Sequence, residues 1–270
     1  MSQFVQMVLD RVHRPESADG PACEAQTVVV QLMHLMGAQV DAMQAVPLLH
    51  VAWRRVNAGA MLHHEGSAAD AIHFVRAGSF KIFRAAEDGY EQVLGFELRG
   101  DVLGFEALAD GVHPSSAVAL EDSSVLSLPL DQFQLLGRQL PELDLAVHRA
   151  VSKALMRRGE LAEMMAAVGA EVRLARFLLQ MSRRMAESGQ SPRRFHLRMS
   201  RRDVASYLGT AHETVSRSFG ALARCGLVQV ENREVEIFDL PGLKQFALKT
   251  RRALDDGPDP RRPDLRLCTH

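Results

Sequence analysis

Cysteine is scarce in this chain: three in 270 residues, Cys23, Cys225 and Cys268. They are too few and too scattered for a disulfide framework, a pattern that suits a reducing compartment. Long apolar runs are missing too. No stretch approaches the roughly 18 residues that a membrane-crossing helix requires, and residues 1–22 lack a secretory signal pattern. These absences predict a cytoplasmic protein with no membrane partner. His63, His64, His73 and His113 have no spacing that a jelly-roll metalloenzyme would use. No catalytic residue, metal ligand or cofactor is therefore expected. Net charge is also nearly absent, with 32 Lys and Arg against 33 Asp and Glu.

That neutrality hides a split. Residues 1–169 carry 13 basic and 21 acidic side chains, whereas residues 170–252 carry 16 basic and 8 acidic. Such asymmetry points to a polyanion as partner of the basic half. Arg183, Arg184, Arg193, Arg194, Arg198, Arg201 and Arg202 precede or open its most informative stretch, residues 199–225. That stretch reads as two short helices joined by a tight turn. Ser200 and Asp203 form an S-x-x-D start signal. Val204 and Leu208 give the first helix an apolar side, and Gly209 supplies a stop. Thr210 is expected to start the second helix, with Glu213 three residues on. Val215, Phe219 and Leu222 fall on one side of that helix. Glu213, Ser216, Arg217 and Gly220 fall on the other, with His212 at the front edge. An apolar back with a Glu/Ser/Arg front suits a reader of the DNA major groove. Glu213, Ser216, Arg217 and His212 are the candidate base readers. Ser200, Arg201, Arg202, Thr210 and Thr214 are candidates for the DNA backbone. A plain capping box at Thr210 and a surface Glu213–Arg217 ion pair remain open as alternatives.

Downstream, Gly226 ends the helix. The runs 227–230 and 235–238 flank Glu231-Asn232-Arg233-Glu234 in a hairpin pattern, which after a helix–turn–helix is a wing. Leu243, Phe246 and Ala247 suggest a closing helix begun at Pro241. Upstream, an apolar repeat of three and four runs from about Leu135 to Val168. Leu143, Val147, Val151, Ala154, Leu161 and Met165 form a seam expected to pack on a second copy, which an inverted-repeat DNA site needs. Packing on its own domain is the alternative. Residues 54–130 hold short β-like runs (72–75, 80–83, 92–96, 124–128) punctuated by glycine, with Glu87-Asp88-Gly89 as a hairpin turn. That argues for an antiparallel β-roll, or jelly roll. The fold class is α+β. The expected order is an N-terminal arm (1–30), a β-roll (31–134), a dimerisation helix (135–169), a winged helix–turn–helix (170–250) and a disordered tail (251–270).

The order of β-roll, long helix and winged helix–turn–helix resembles the CRP/FNR superfamily of bacterial transcription regulators over roughly residues 40–250. The resemblance rests on Gly100-Asp101-Val102-Leu103-Gly104-Phe105-Glu106-Ala107, His113-Pro114-Ser115, residues 195–201 and His212-Glu213-Thr214-Val215-Ser216-Arg217. It leans to the FNR branch, whose E-x-x-S-R motif reads a TTGAT-type half-site; Glu213, Ser216 and Arg217 match. The resemblance implies a cyclic-nucleotide-binding-like roll, a homodimer on double-stranded DNA and contact with RNA polymerase. It also implies two ligands that the residues argue against. A 4Fe–4S cluster needs four ligands, normally thiolates, and Leu126 stands where the roll would supply the last. A cyclic-nucleotide phosphate needs a cation, and Ser115-Ser116 offer none. An effector-gated roll stays open as the alternative: a small ligand, haem or metal near His63, His64, Glu65 and His73, or a thiol switch at Cys225 beside Arg224.

Overall fold

The structure is a computed structural model that describes residues 31–32, 34–35, 51–132, 141–165 and 169–248. The expected arm (1–30) and tail (251–270) lie outside the described residues. Strands dominate the first half: β1 Ala52–Val56, β2 Met61–His63, β3 Ala71–Ala77, β4 Ser79–Ala85, β5 Glu91–Leu98, β6 Val102–Leu103, β7 Ser116–Ala119 and β8 Ser123–Pro129, with one 3-10 turn at Phe105–Leu108. They form two antiparallel four-stranded sheets, ordered β1-β8-β3-β6 and β2-β7-β4-β5. Val75, Leu103 and Val125 of the first sheet meet Phe80, Ile82 and Ala117 of the second in one core. The opposite side chains of β3 and β8, Ile72, Phe74, Leu126 and Leu128, enter a different core. Successive strand side chains point to opposite faces. Burial on both faces explains the apolar residues at successive positions, Phe74-Val75 on β3 and Val125-Leu126 on β8.

Gly78 makes the β3–β4 connection possible. Its φ is +86°, and a Cβ there would sit 2.1 Å from Ser123 Oγ. Only glycine accepts both conditions.

The second half is mostly helical: α1 Pro141–Met165, α2 Ala170–Glu187, α3 Arg201–Tyr207, α4 His212–Arg224 and α5 Leu240–Ala247. A small sheet, β10 (Val228–Glu231), β11 (Glu234–Ile237) and β9 (Arg194–His196), completes it. The α3 start is the capping box read from sequence: Ser200 Oγ accepts from Asp203 N at 3.1 Å, and Ser200 N donates back to Asp203 Oδ2 at 2.8 Å.

Helix α1 corrects one expectation. Val147 and Ala154 are buried, and Val151 half-buried, against Ile72, Phe74 and Leu126 of their own roll. Leu161 packs on the core of the C-terminal half. Met165 lies against the α3–α4 turn, where a Cβ on Gly209 would meet its Cε at 2.3 Å. The side chain of Leu143 lies outside those described. Val147, Val151, Ala154 and Leu161 of the stripe expected to face a second copy are therefore covered, wholly or in part, by their own chain. Among the described side chains, Leu145, Leu155, Met156 and, at 37%, Met165 are the large apolar ones that α1 leaves exposed.

Inside the roll, sequence-distant histidines converge. The rings of His63 and His113 stack at 3.8 Å, 4° from parallel, and His73 lies 6.4 Å from His63. His73 Nδ1 pairs with Ser127 Oγ at 2.8 Å. Burial drives the His63 pKa down to about 3 and that of His73 to about 4, and lowers that of His113. The fold thus favours neutral rings, while an unfolded chain takes up protons below about 6.5. This contribution to stability is complete above pH 6.5 and is lost as pH falls towards 4, at about 1.4 kcal/mol per pKa unit before solvent screening. Thermal unfolding followed by circular dichroism should show the midpoint falling between pH 7 and pH 4.5. A His73→Gln variant should show a shallower fall; an unchanged slope would remove the imidazole from the account.

Candidate nucleic-acid interface

Helix α4 has a buried back and a free front. Val215, Ser218, Phe219, Ala221 and Leu222 are buried. His212, Glu213, Ser216 and Arg217 are all exposed. The apolar back seats the helix on α2 and α3, so its front can enter a groove. Glu213 and Arg217 form no ion pair with each other; instead Arg217 Nη2 donates to Thr214 Oγ1 at 3.3 Å. That hydroxyl, half-buried one turn back, braces the guanidinium while leaving its other donors free for a base edge.

The start of α4 differs from expectation. Ala211 is the N-cap, with no side-chain cap bond, so Thr210 and Glu213 form no capping box. Thr210 is half-buried in the turn. The first-turn N–H groups of α4 therefore have no side-chain cap beside the exposed His212 and Glu213. The turn is held from outside the motif: Arg173 on α2 donates to Leu208 O at 3.0 Å and Gly209 O at 3.3 Å. It satisfies carbonyls that the end of α3 leaves open.

The candidate backbone contacts divide. Ser200 is occupied by the α3 cap, its hydroxyl donating to Asp203 Oδ2 at 2.6 Å. Arg201 lies 3.6 Å above the ring of Phe219 and donates to Asn232 O at 3.2 Å. Burial and neighbouring Arg233 lower its pKa. It is a brace between α3, the recognition helix and the wing, with little reach left for a phosphate. Arg202 is exposed, and Thr214 is half-buried under Arg217. Sequence reading missed the wing tip. Asn232, at φ 55°, turns the hairpin. Arg233 follows it and donates to Arg198 O at 3.0 Å. An open cleft of about 500 Å³ lies among Ser200, Arg201, Arg202, His212, Asn232 and Arg233. The guanidiniums of Arg202 and Arg233, the imidazole of His212 and the lack of a carboxylate in that set make it suited to a phosphate backbone. The signal was present in the hairpin turn, but only folding brings residue 233 beside residue 202.

The other sensing candidates are placed as follows. His64 points outward and Glu65 pairs with Arg84 at 2.9 Å, so neither joins the His63 group. Among the described residues no three ligating side chains are arranged for a metal ion. The stacking of His63 on His113 explains this, because parallel rings do not converge their lone pairs. Cys225 caps the C-terminus of α4 and is half-buried beside the exposed Arg224. Among the described residues no helix is long and apolar enough to cross a membrane.

Comparison with known proteins agrees with this arrangement. The Crp-like helix–turn–helix domain matches residues 172–246, and the cyclic nucleotide-binding domain matches residues 53–139. The transcriptional regulatory protein btr of Bordetella pertussis is 41% identical over 192 residues, covering 71% of this chain and 79% of that protein. The fumarate and nitrate reduction regulatory protein of Escherichia coli is 35% identical over 196 residues, covering 73% and 78%. The solved structure of FixK2 from Bradyrhizobium japonicum superposes with a TM-score of 0.67 at 25% identity, covering 75% of this chain and all of that one. With a β-roll, a long connecting helix and a winged helix–turn–helix in this order, and with these relatives, the chain belongs to the CRP/FNR family of transcription regulators.

Proposed function

We propose that this regulator binds DNA as a homodimer and reads an inverted repeat with TTGAT-like half-sites. The observation that carries the reading is the exposed Glu213, Ser216 and Arg217 front on a helix whose back is buried. Arginine suits the O6 and N7 of guanine, and glutamate accepts from cytosine N4. His212, at the open end of the helix, is placed to influence the outer base pair. Arg202 and Arg233 line the cleft that would take the phosphates. Action at promoters through RNA polymerase follows from the family alone; no side chain here carries it.

For the dimer, the burial of Val147 and Ala154 moves the seam to the outer stripe of α1. Leu145, Ser152, Met156 and Gly159 follow one another at spacings of seven, four and three and are exposed. A Cβ on Gly159 would meet nothing within 4 Å. Large apolar side chains alternating with small ones are what two closely packed helices use.

The family's two ligands do not fit this roll. A 4Fe–4S cluster would need a thiolate near Leu126, which is 1% exposed among Ile72, Phe74 and Leu128, and residues 51–132 contain no cysteine. A cyclic phosphate would need a cation near Ser115-Ser116. Ser116 Oγ already accepts from Glu65 N at 2.9 Å, and the Glu106 carboxylate is held by Arg158. We therefore infer binding without either group.

Purified protein should bind a TTGAT-N4-ATCAA duplex in preference to a scrambled one at fixed salt and without added effector. Equal binding to both would sink the reading. Arg217→Ala should cost roughly 1–3 kcal/mol on that duplex and relax selection at one base pair; uniform weakening on all DNA would assign Arg217 to the backbone instead. Met156→Glu should shift the mass measured by light scattering towards the monomer. A dimer that persists unchanged would place the seam elsewhere.

A further inference from the structure

The first helix of the reader is not free of the roll. Ser206, on the buried side of α3, is inserted against the edge strand β5. Its Oγ accepts from Val93 N at 2.9 Å and donates to Glu91 O at 2.7 Å. Tyr90 OH donates to Ser206 Oγ at 3.2 Å, and Gln92 Nε2 donates to Ser206 O at 3.2 Å. One turn earlier, Lys81 Nζ on β4 lies 3.0 Å from Asp203 Oδ1 and 2.6 Å from Glu91 Oε2. Burial disfavours the Asp203 charge, yet hydrogen bonds from Ser200 and Lys81 keep its carboxyl below the ordinary range. Despite burial, hydrogen bonds to Glu91 and Asp203 raise the Lys81 pKa. The pair is therefore ionised on both sides. Beyond it, Arg198 meets Glu121 at 3.0 Å.

None of these groups touches the front of α4, which stays exposed while the dock is closed. Asp203 is also capped by Ser200, so α3 does not need Lys81 in order to form. A contact that neither builds the helix nor covers the reading face has one remaining geometric effect: it fixes where the reader sits on the roll. We propose that Ser206, Lys81 and Asp203 are positioning residues, which lock α3 to the β4–β5 hairpin and so set the distance and angle at which two copies present their recognition helices. The inference rests on the inverted-repeat reading above. Two half-sites joined rigidly bind with an advantage that is lost when the joint loosens, because the second contact must then be found by search.

The test uses full-length protein with Ser206→Ala, Lys81→Met and the double variant. Three kinds of duplex are compared: the full inverted repeat, a single half-site, and repeats with the spacer lengthened or shortened by one and two base pairs. The double variant should bind the half-site like the parent protein. It should bind the full repeat about tenfold more weakly and lose the parent's preference for one spacer. Unchanged affinity and spacer preference would overturn the proposal. Equal loss on half-site and full repeat would overturn it too, since that reports damage to the reader itself. Amide exchange without DNA gives an independent readout. Residues 91–95 and 201–207 should exchange faster in the double variant, and unchanged protection would mean that the dock is not held by these groups. Should Ser206→Ala fail to fold, Lys81→Met carries the comparison alone, because it leaves the α3 cap intact. Faster exchange in the variant, alongside a parent protein that selects no inverted repeat, would keep the dock and discard the DNA reading on which its purpose rests.

Discussion

Strand β5 belongs to two domains at once, and the architecture depends on that. Val93 and Phe96 are strand residues of the roll, yet they are buried in the same core as Phe177, Leu178, Tyr207 and Leu208 of the C-terminal half. The rings of Phe96, Phe177 and Tyr207 sit 5.2 to 6.2 Å apart in tilted and edge-on pairs. Burial of aromatic rings supplies much of the driving force in such a core, and ring geometry restricts how they can slide. Beside them lies a charge cluster. Arg157 of α1 reaches Glu97 at 3.2 Å and Asp101 at 3.0 Å, and Arg184 of α2 pairs with Asp101 and donates to Phe96 O at 2.5 Å. Burial and the nearby Asp101 push the Glu97 pKa up to about 8. Buried ion clusters add little net stability, but breaking one is costly. Roll, connecting helix and reader therefore meet at one shared junction.

Legibility in the sequence followed the range of the interactions. The α3 cap, the Gly209 and Gly226 stops and the Val215/Phe219/Leu222 back are local, set within one or two turns of chain. The wing hairpin and the roll strands were visible for the same reason, since strand and turn chemistry repeats over a few residues. On α1 the structure differs from the expected seam at Val147, Val151 and Ala154, because a helix can have two apolar faces, and periodicity ranks them by how greasy they are. Val147, Val151 and Ala154 form the greasier stripe and face the roll. The outer stripe, thinned by Ser152 and Gly159, is the one left exposed.

Arg201 illustrates a second limit. An arginine at the start of a helix in a basic domain invites assignment to a phosphate. Its stacking on Phe219 and its bond to Asn232 are contacts across 18 and 31 residues, which no local pattern encodes. His113 is similar. It lies outside any spacing shared with His63, and only the fold of β2 against the loop before β7 stacks the two rings.

Gly159 carries a consequence of its own. Helix axes pack 8–10 Å apart according to the side chains at their crossing, and a bare glycine on the outer stripe allows the near end of that range. Were two copies to meet there, the gap between their axes would act as a ruler for the whole assembly. DNA repeats about every ten base pairs, so a shift in that gap translates into rotation around the duplex as well as displacement along it. A bulkier residue at 159 would then alter which face of the double helix the second subunit meets. Its effect would be a change of helical phase, while each individual contact stayed as strong as before.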